Sequence, residues 1–172
     1  MPCASLCRFT AASAVAFSGP SIGTPKLSAI DSFITNNVAV GCGEGENEKS
    51  NGGGIYALTS FNESAILISL SNTEVNKNNC TGMGGGVYLK KSLLTSVHST
   101  ISSNSAGDSG GGVHLTDKPS SFTAKDTVLA WNRANANGGG IACYPGSTIN
   151  AIGSQIVSNS VGGYGGGVFS LD

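Results

Sequence analysis

The chain has 172 residues, of which 39% are hydrophobic and 11% are charged, and its formal net charge is -1. This composition provides enough apolar side chains for the core of one domain and is not that of a disordered chain. It lacks the basic surface of a nucleic-acid-binding protein, so nucleic acid is not an expected partner. No apolar run reaches the roughly 20 residues of a transmembrane helix, and none is predicted.

The first 24 residues differ from the rest of the chain. Arg8 precedes a stretch of small and apolar residues, so residues 1–24 are predicted to be an N-terminal cap or a secretory signal segment. Both alternatives stay open, because a capping coil and a signal segment can have similar compositions.

Residues 25–172 contain five copies of a repeat of about 27 residues. Each copy has a Gly-Gly-Gly triplet followed by Ile or Val and, upstream of it, an apolar residue followed three positions later by asparagine. The residues after the triplets are Ile55, Val87, Val113, Ile141 and Val168, and the asparagines are Asn37, Asn78, Asn104, Asn132 and Asn159. Such regular spacing is typical of repeat proteins, in which each copy forms one structural unit.

The repeat predicts β-strands. Apolar and polar residues alternate, β-branched residues are frequent, and no segment keeps a 3.6-residue period. Each copy would hold three short strands separated by polar turns. The sequence therefore predicts an all-β fold, a single-stranded parallel β-helix or β-solenoid of about five to six coils, with equivalent positions stacked on one another.

The two motifs have physical roles in such a coil. Glycine adopts positive φ at a sharp corner and lets adjacent coils approach to about 4.8 Å. The five asparagines are expected to stack as an amide ladder along the axis. A second polar column is predicted to form a hydroxyl ladder and consists of Ser32, Thr73, Ser99, Thr127 and Ser154.

The alternating motifs resemble the right-handed parallel β-helix repeats of the polymorphic outer-membrane protein type, whose tetrapeptides are Gly-Gly-Ala-Ile-like and Phe-x-x-Asn. Here they read GGGI or GGGV and, for example, Ile101-Ser102-Ser103-Asn104, with the phenylalanine replaced throughout. The match spans about residues 25 to 172, and the broader class is the pectin-lyase-like β-helix. The resemblance implies right-handed coils and a secreted or cell-surface protein involved in adhesion or display.

The strand after each triplet also points side chains outward. Alternation predicts an outer column of Tyr56, Tyr88, His114 and Phe169, interrupted by Ala142. This column is a candidate contact for a glycan or a protein partner, and the alternative is ordinary packing of rings between coils. Both histidines, His98 and His114, are expected to face solvent.

The first copy carries additional residues, predicted to form an inserted loop at 41–51. Its Glu44, Glu46 and Glu48 could offer oxygens to calcium, but their spacing matches no known calcium loop. A solvated loop that contributes to specificity is the expected structure. No other cofactor or metal site is predicted.

Catalysis on such a fold would need carboxylates that converge on neighbouring coils. The aspartates of the chain are Asp31, Asp108, Asp117, Asp126 and Asp172. We expect no two of them to share a repeat column. No catalytic residue is predicted and the protein is not expected to be an enzyme, a glycan-active enzyme being the weaker alternative. Cys80 and Cys143 fall in core columns and are expected to be buried, while Trp131 lies in a turn and should be partly exposed.

The sequence favours a non-enzymatic binding or display module outside the cell or at its surface, with a protein or glycan partner. The alternative is a structural accessory subunit docked in a larger assembly. The sequence ends directly after a glycine strand, in GGGVFSLD, and an uncovered coil there suggests a longer chain or a docked subunit.

Overall fold

The computed structural model describes residues 15–18, 25–40, 50–59 and 64–171. Within these ranges the regular structure consists of short parallel strands, which stack as a β-solenoid of about four turns. None of the described segments forms a helix with the length and hydropathy needed to cross a lipid bilayer. The predicted all-β parallel solenoid is therefore confirmed.

The strands, numbered along the chain, form four sheets. The glycine-strand sheet contains β1 (Val15–Ser18), β5 (Ile55–Leu58), β9 (Val87–Lys90), β13 (Val113–Thr116), β17 (Ile141–Cys143) and β21 (Val168–Ser170). The second sheet contains β2 (Lys26–Ile30), β6 (Ile66–Ser71), β10 (Ser92–Val97), β14 (Ser120–Lys125) and β18 (Ser147–Ile152). The third sheet contains β3 (Phe33–Thr35), β7 (Glu74–Asn76), β11 (Thr100–Ser102), β15 (Val128–Ala130) and β19 (Gln155–Val157).

The fourth sheet contains the two-residue strands that follow the motif asparagines: β4 (Val38–Ala39), β8 (Asn79–Cys80), β12 (Ser105–Ala106), β16 (Arg133–Ala134) and β20 (Ser160–Val161). A complete coil thus has four strands where three were predicted, because two residues are too few to show alternation in the sequence. The number of turns, about four, is also lower than the predicted five to six. Five stacked copies of a motif enclose only four complete turns.

The core lies inside the coils and is built from the apolar columns of the first three sheets. Its central residues include Ile55, Leu89, Ile101, Phe122 and Leu129, all with no exposed surface. Burial of each such side chain contributes about 1.5–3 kcal/mol to stability. A smaller cluster of Ala39, Cys80, Ala106 and Ala134 fills the inside of the fourth sheet. Cys80 and Cys143 are both buried, as expected.

The five motif asparagines form a continuous hydrogen-bonded ladder through this interior. Asn104 donates its backbone N–H and one amide N–H to Oδ1 of Asn132, over 3.1 and 3.0 Å. Its other amide N–H goes to the carbonyl of Val75 over 2.9 Å. Asn78 makes the same pair of bonds to Oδ1 of Asn104. The side chain therefore satisfies backbone groups at a buried corner and fixes the register between coils.

The serine and threonine column bonds mainly to backbone. The backbone N–H of Thr73 donates to Oγ of Ser99 over 3.1 Å, and that hydroxyl donates to the carbonyl of Val97 over 2.8 Å. The backbone N–H of Thr127 makes the equivalent bond to Oγ of Ser154. These hydroxyls provide hydrogen-bond partners for backbone N–H and carbonyl groups at the turn between the second and third sheets.

Within each glycine triplet the positions have different roles. The first glycine turns the corner with positive φ, +69° at Gly110. The third lies against the next coil: a Cβ on Gly112 would stand 2.6 Å from the carbonyl oxygen of Gly140 and 3.0 Å from the amide nitrogen of Asn132. Both roles exclude larger residues, one by backbone conformation and the other by space.

The predicted N-terminal segment and the predicted inserted loop lie largely outside the described residues. Of the predicted cap or signal segment, residues 1–24, only β1 is described, and it pairs with β5 in the register Val15 to Ile55. Residues 41–49 of the inserted loop, with Glu44, Glu46 and Glu48, lie outside the described residues. In the last coil, Ile149 and Ile156 are only partly buried and Val168 is exposed, so this coil presents apolar side chains at its surface.

Replacing Asn104 tests the ladder. Asn104→Ala leaves the buried backbone and amide N–H groups of Asn78 without their acceptor, so we expect the free energy of unfolding to fall by about 3 kcal/mol. Urea denaturation measures this loss. The matched control, Asn135→Ala, changes an exposed asparagine and should cost no more than about 0.5 kcal/mol. Equal losses in the two variants would contradict the role of the ladder.

Candidate functional site

The outer column of the glycine-strand sheet is a stack of aromatic rings that neighbouring residues shield from solvent, fully at its centre and partly at its ends. The centroids of Tyr56 and Tyr88 are 5.3 Å apart with nearly parallel planes, and those of Tyr88 and His114 are 5.4 Å apart. Tyr144 continues the stack, 5.0 Å from His114 and 5.7 Å from Phe169. Sequence reasoning missed Tyr144, which lies two residues beyond Ala142 and fills the gap that this small residue leaves.

The expectation that this column faces solvent does not hold at its centre. Tyr88 is 6% exposed and His114 is 2% exposed, whereas Tyr56 and Phe169 are partly buried. The glycine corners cover the rings, since a Cβ on Gly110 would lie 2.7 Å from Cβ of His114. The hydroxyl of Tyr144 lies within hydrogen-bond distance of Ser109 and Asn137 from two such corners. The column is therefore packed between coils and leaves little surface for a ligand.

His114 is a buried titratable group within this stack. Burial lowers its pKa to about 4, while Asp108 and a hydrogen bond to the Ser109 backbone act in the opposite direction. Its Nδ1 has no hydrogen-bond partner. The imidazole thus remains neutral at physiological pH and is held by stacking, not by an ion pair.

A second column, which we term the corner column, lies on the outer side of the turn between the second and third sheets. It consists of Asp31, Asn72, His98 and Asp126, all with φ of 47° or 48°. Asp, Asn and His tolerate this left-handed conformation better than most residues. The amide of Asn72 donates to Oδ1 of Asp31 over 2.7 Å, and Nδ1 of His98 lies 4.0 Å from Oδ2 of Asp126. His98 is exposed, as expected.

The corner column corrects one expectation. Asp31 and Asp126 do share a repeat column, because each lies three residues before the apolar residue of an asparagine motif. They are separated by three coils, which at 4.8 Å per coil is about 14 Å. That separation exceeds the roughly 5–9.5 Å between the paired carboxylates of glycoside hydrolases. These two aspartates therefore do not converge on one bond.

The corner column borders a surface groove of about 320 Å³. The groove, which we term the corner groove, is lined by Asp31, Phe33, Asn72, Thr73, Glu74, His98 and Thr100. Phe33 stands at one end with 68% of its surface exposed. Glu74 is oriented by Asn76, whose amide donates to Oε2 over 2.9 Å. The groove thus combines an exposed ring with carboxylates held in place by amides.

The sequence contained a signal for this site. Phe33 occupies the outward column of Glu74, Thr100, Val128 and Gln155, so a large ring stands where the other copies have smaller or polar residues. It lies two residues after Asp31, the first member of the corner column. Alignment of the copies at this turn would have identified both features.

No metal centre is evident in the described ranges, where no three His, Cys, Asp or Glu side chains are grouped to hold an ion. Trp131 is 69% exposed, in agreement with its expected position in a turn, and it also adopts positive φ. It lies on a different corner from the groove.

Comparisons of this chain with protein-family models, with curated proteins and with solved structures find no match. The assignment of the parallel β-solenoid therefore rests on the strand pairing, and the candidate site rests on the geometry of the corner groove.

The buried His114 should make stability depend on pH. In the unfolded chain histidine takes up a proton below pH 6.5, whereas in the folded protein it does so only near pH 4. The free energy of unfolding should therefore fall as the pH drops from 6.5 to 4, by about 3 kcal/mol in total. Urea denaturation across this range measures the effect.

The variant His114→Phe keeps a ring in the stack and removes the titratable group, so this part of the pH dependence should disappear. His98→Asn changes the exposed histidine of the corner column and should retain the wild-type fall. An unchanged pH profile in His114→Phe would show that other groups cause the effect.

Proposed function

We propose that this protein is a non-enzymatic recognition module of the extracellular space or cell surface, which displays the corner groove to a glycan or a protein partner. The observation that carries the proposal is an exposed ring, Phe33, beside the polar side chains of Asp31, Asn72 and Glu74 in one groove. Aromatic faces stack on sugar rings and pack on apolar partner surfaces, while carboxylate and amide groups bind hydroxyl and amine groups.

The scaffold favours recognition because its outer side chains are attached to rigid elements. Backbone bonds between equivalent strands and the asparagine ladder tie each coil to the next. Groove residues are contributed by consecutive coils, so their spacing is set by the pairing of β3 with β7 and of β7 with β11. A preformed site loses little conformational entropy when a ligand binds.

The proposed location rests on the resemblance of the GGGI or GGGV and asparagine motifs to the polymorphic outer-membrane protein repeats, within the pectin-lyase-like β-helix class. Proteins with such repeats are secreted or lie at the cell surface, where they act in adhesion or display. The resemblance adds the location, and the groove adds the site at which recognition would occur.

The proposal predicts that Phe33 is needed for binding. On an array of glycans and extracellular proteins, the wild-type protein should bind at least one ligand that Phe33→Ala binds about tenfold more weakly, corresponding to about 1.4 kcal/mol. Tyr164→Ala is the matched control, because it removes a ring that is 75% exposed but lies outside the groove.

Two results would contradict this function. Equal binding by Phe33→Ala and the wild type would exclude the groove as the recognition surface. Release of new reducing ends from a bound polysaccharide would instead favour the weaker alternative, a glycan-active enzyme. Its candidate acid and base would be Asp31 and Glu74, the two carboxylates that line the groove.

A second candidate function is that of a structural accessory subunit in a larger assembly. It is favoured by exposed apolar side chains on the outer surface of the coils, including Ile30 and Trp131. The native mass and the subunit stoichiometry of the purified protein test this candidate. Co-purification with another chain at a fixed ratio would favour it, and a monodisperse monomer of 17.1 kDa would count against it.

A further inference from the structure

We propose that the corner groove binds an alkylammonium group, a primary amine on an apolar stem such as a lysine side chain or a free alkyl diamine. This inference rests on the proposed recognition function and specifies the chemistry that the groove selects. It draws on three features of the site: the charge of its walls, the hydrogen bonds of its carboxylate oxygens and the exposed ring at its end.

The charge of the groove is the first feature. Asp31 and Glu74 both line it, and in the described part of the chain neither carboxylate is paired with a lysine or arginine. The only other titratable group in the lining is His98, which lies toward Asp126. A ligand in the groove therefore meets an excess of negative charge, which favours a cation and repels an anion.

The carboxylate oxygens indicate which cation fits. Oδ1 of Asp31 accepts the amide of Asn72, and Oε2 of Glu74 accepts the amide of Asn76. Each carboxylate thus has one oxygen engaged and its other oxygen without a hydrogen bond among the described residues. The planar fork of a guanidinium binds best to both oxygens of one carboxylate. An ammonium carries three donors on a compact charge, and these suit two separate carboxylates that each offer one oxygen.

The exposed ring completes the site. Phe33 stands in the same groove as the two carboxylates and is 68% exposed. An aromatic face attracts a cation within about 6 Å of its centroid and packs against the methylene groups of an amine stem. The hydroxyls of Thr73 and Thr100 and the amide of Asn72 form the remaining polar lining. A groove of about 320 Å³ is large enough for one such side chain.

Titration calorimetry of the full chain tests this inference with four probes: 1,5-diaminopentane, a lysine-containing peptide, the same peptide with its lysine acetylated, and a neutral oligosaccharide. The diamine or the lysine peptide should bind, and the acetylated peptide should bind at least tenfold more weakly. Asp31→Asn and Glu74→Gln should each weaken binding about tenfold. Both substitutions keep an oxygen that accepts the amide bond, and asparagine tolerates the positive φ at residue 31.

The matched control is Asp117→Asn, which removes a carboxylate that lies outside the groove and is paired with Lys90 over 3.5 Å. It should bind the probes as the wild type does. Binding in the wild type should also weaken as the salt concentration rises, because the attraction is electrostatic. Tighter binding of the lysine peptide than of the diamine would assign the ammonium to a partner protein, and equal binding would assign it to a small free cation.

Two other outcomes separate this inference from the function on which it rests. If the neutral oligosaccharide or the acetylated peptide binds as tightly as the lysine peptide, and Phe33→Ala loses that binding, the ammonium inference is overturned but the recognition function stands. If no probe binds and Phe33→Ala behaves as the wild type on the array, both are overturned.

Discussion

The stacking of identical positions between coils is the constraint on which the rest of the structure depends. The asparagine ladder shows this constraint most clearly. In it, each side chain hydrogen-bonds to backbone and amide groups of the adjacent coils at a buried corner. Because the ladder needs an asparagine at one position of each coil, it fixes the register of all four sheets together. The third glycine of the first four triplets is required for the same reason, since a Cβ there would collide with the neighbouring coil.

The turns between strands decide which residues can carry function. Side chains inside the coils are committed to the core and the ladders, so only corners and outer faces remain available. The corner column uses Asp, Asn and His because these residues tolerate positive φ, and the same residues are polar and chemically useful. A requirement of the backbone thereby places a line of polar groups on the surface of the solenoid.

The ring column shows that an outward direction does not ensure exposure. Tyr88 and His114 point away from the core, yet the glycine corners fold over them and Tyr144 closes the remaining gap. The rings therefore contribute to packing, and the burial of His114 is expected to make stability depend on pH. The exposed ring of the corner groove, Phe33, lies instead on the third sheet and lines the same groove as Asp31 and Glu74.

The sequence by itself determined the parallel solenoid, the columns of the asparagines and glycines and the burial of Cys80 and Cys143, because a strict repeat must place equivalent residues in equivalent environments. It did not reveal the fourth strand of each coil, whose two residues are too few to show a period. Only the tertiary structure decided that His114 is buried and that Phe33, Asp31 and Glu74 share a groove. Exposure and proximity depend on how corners and neighbouring coils cover a side chain, and the alternation within one strand carries no information about either.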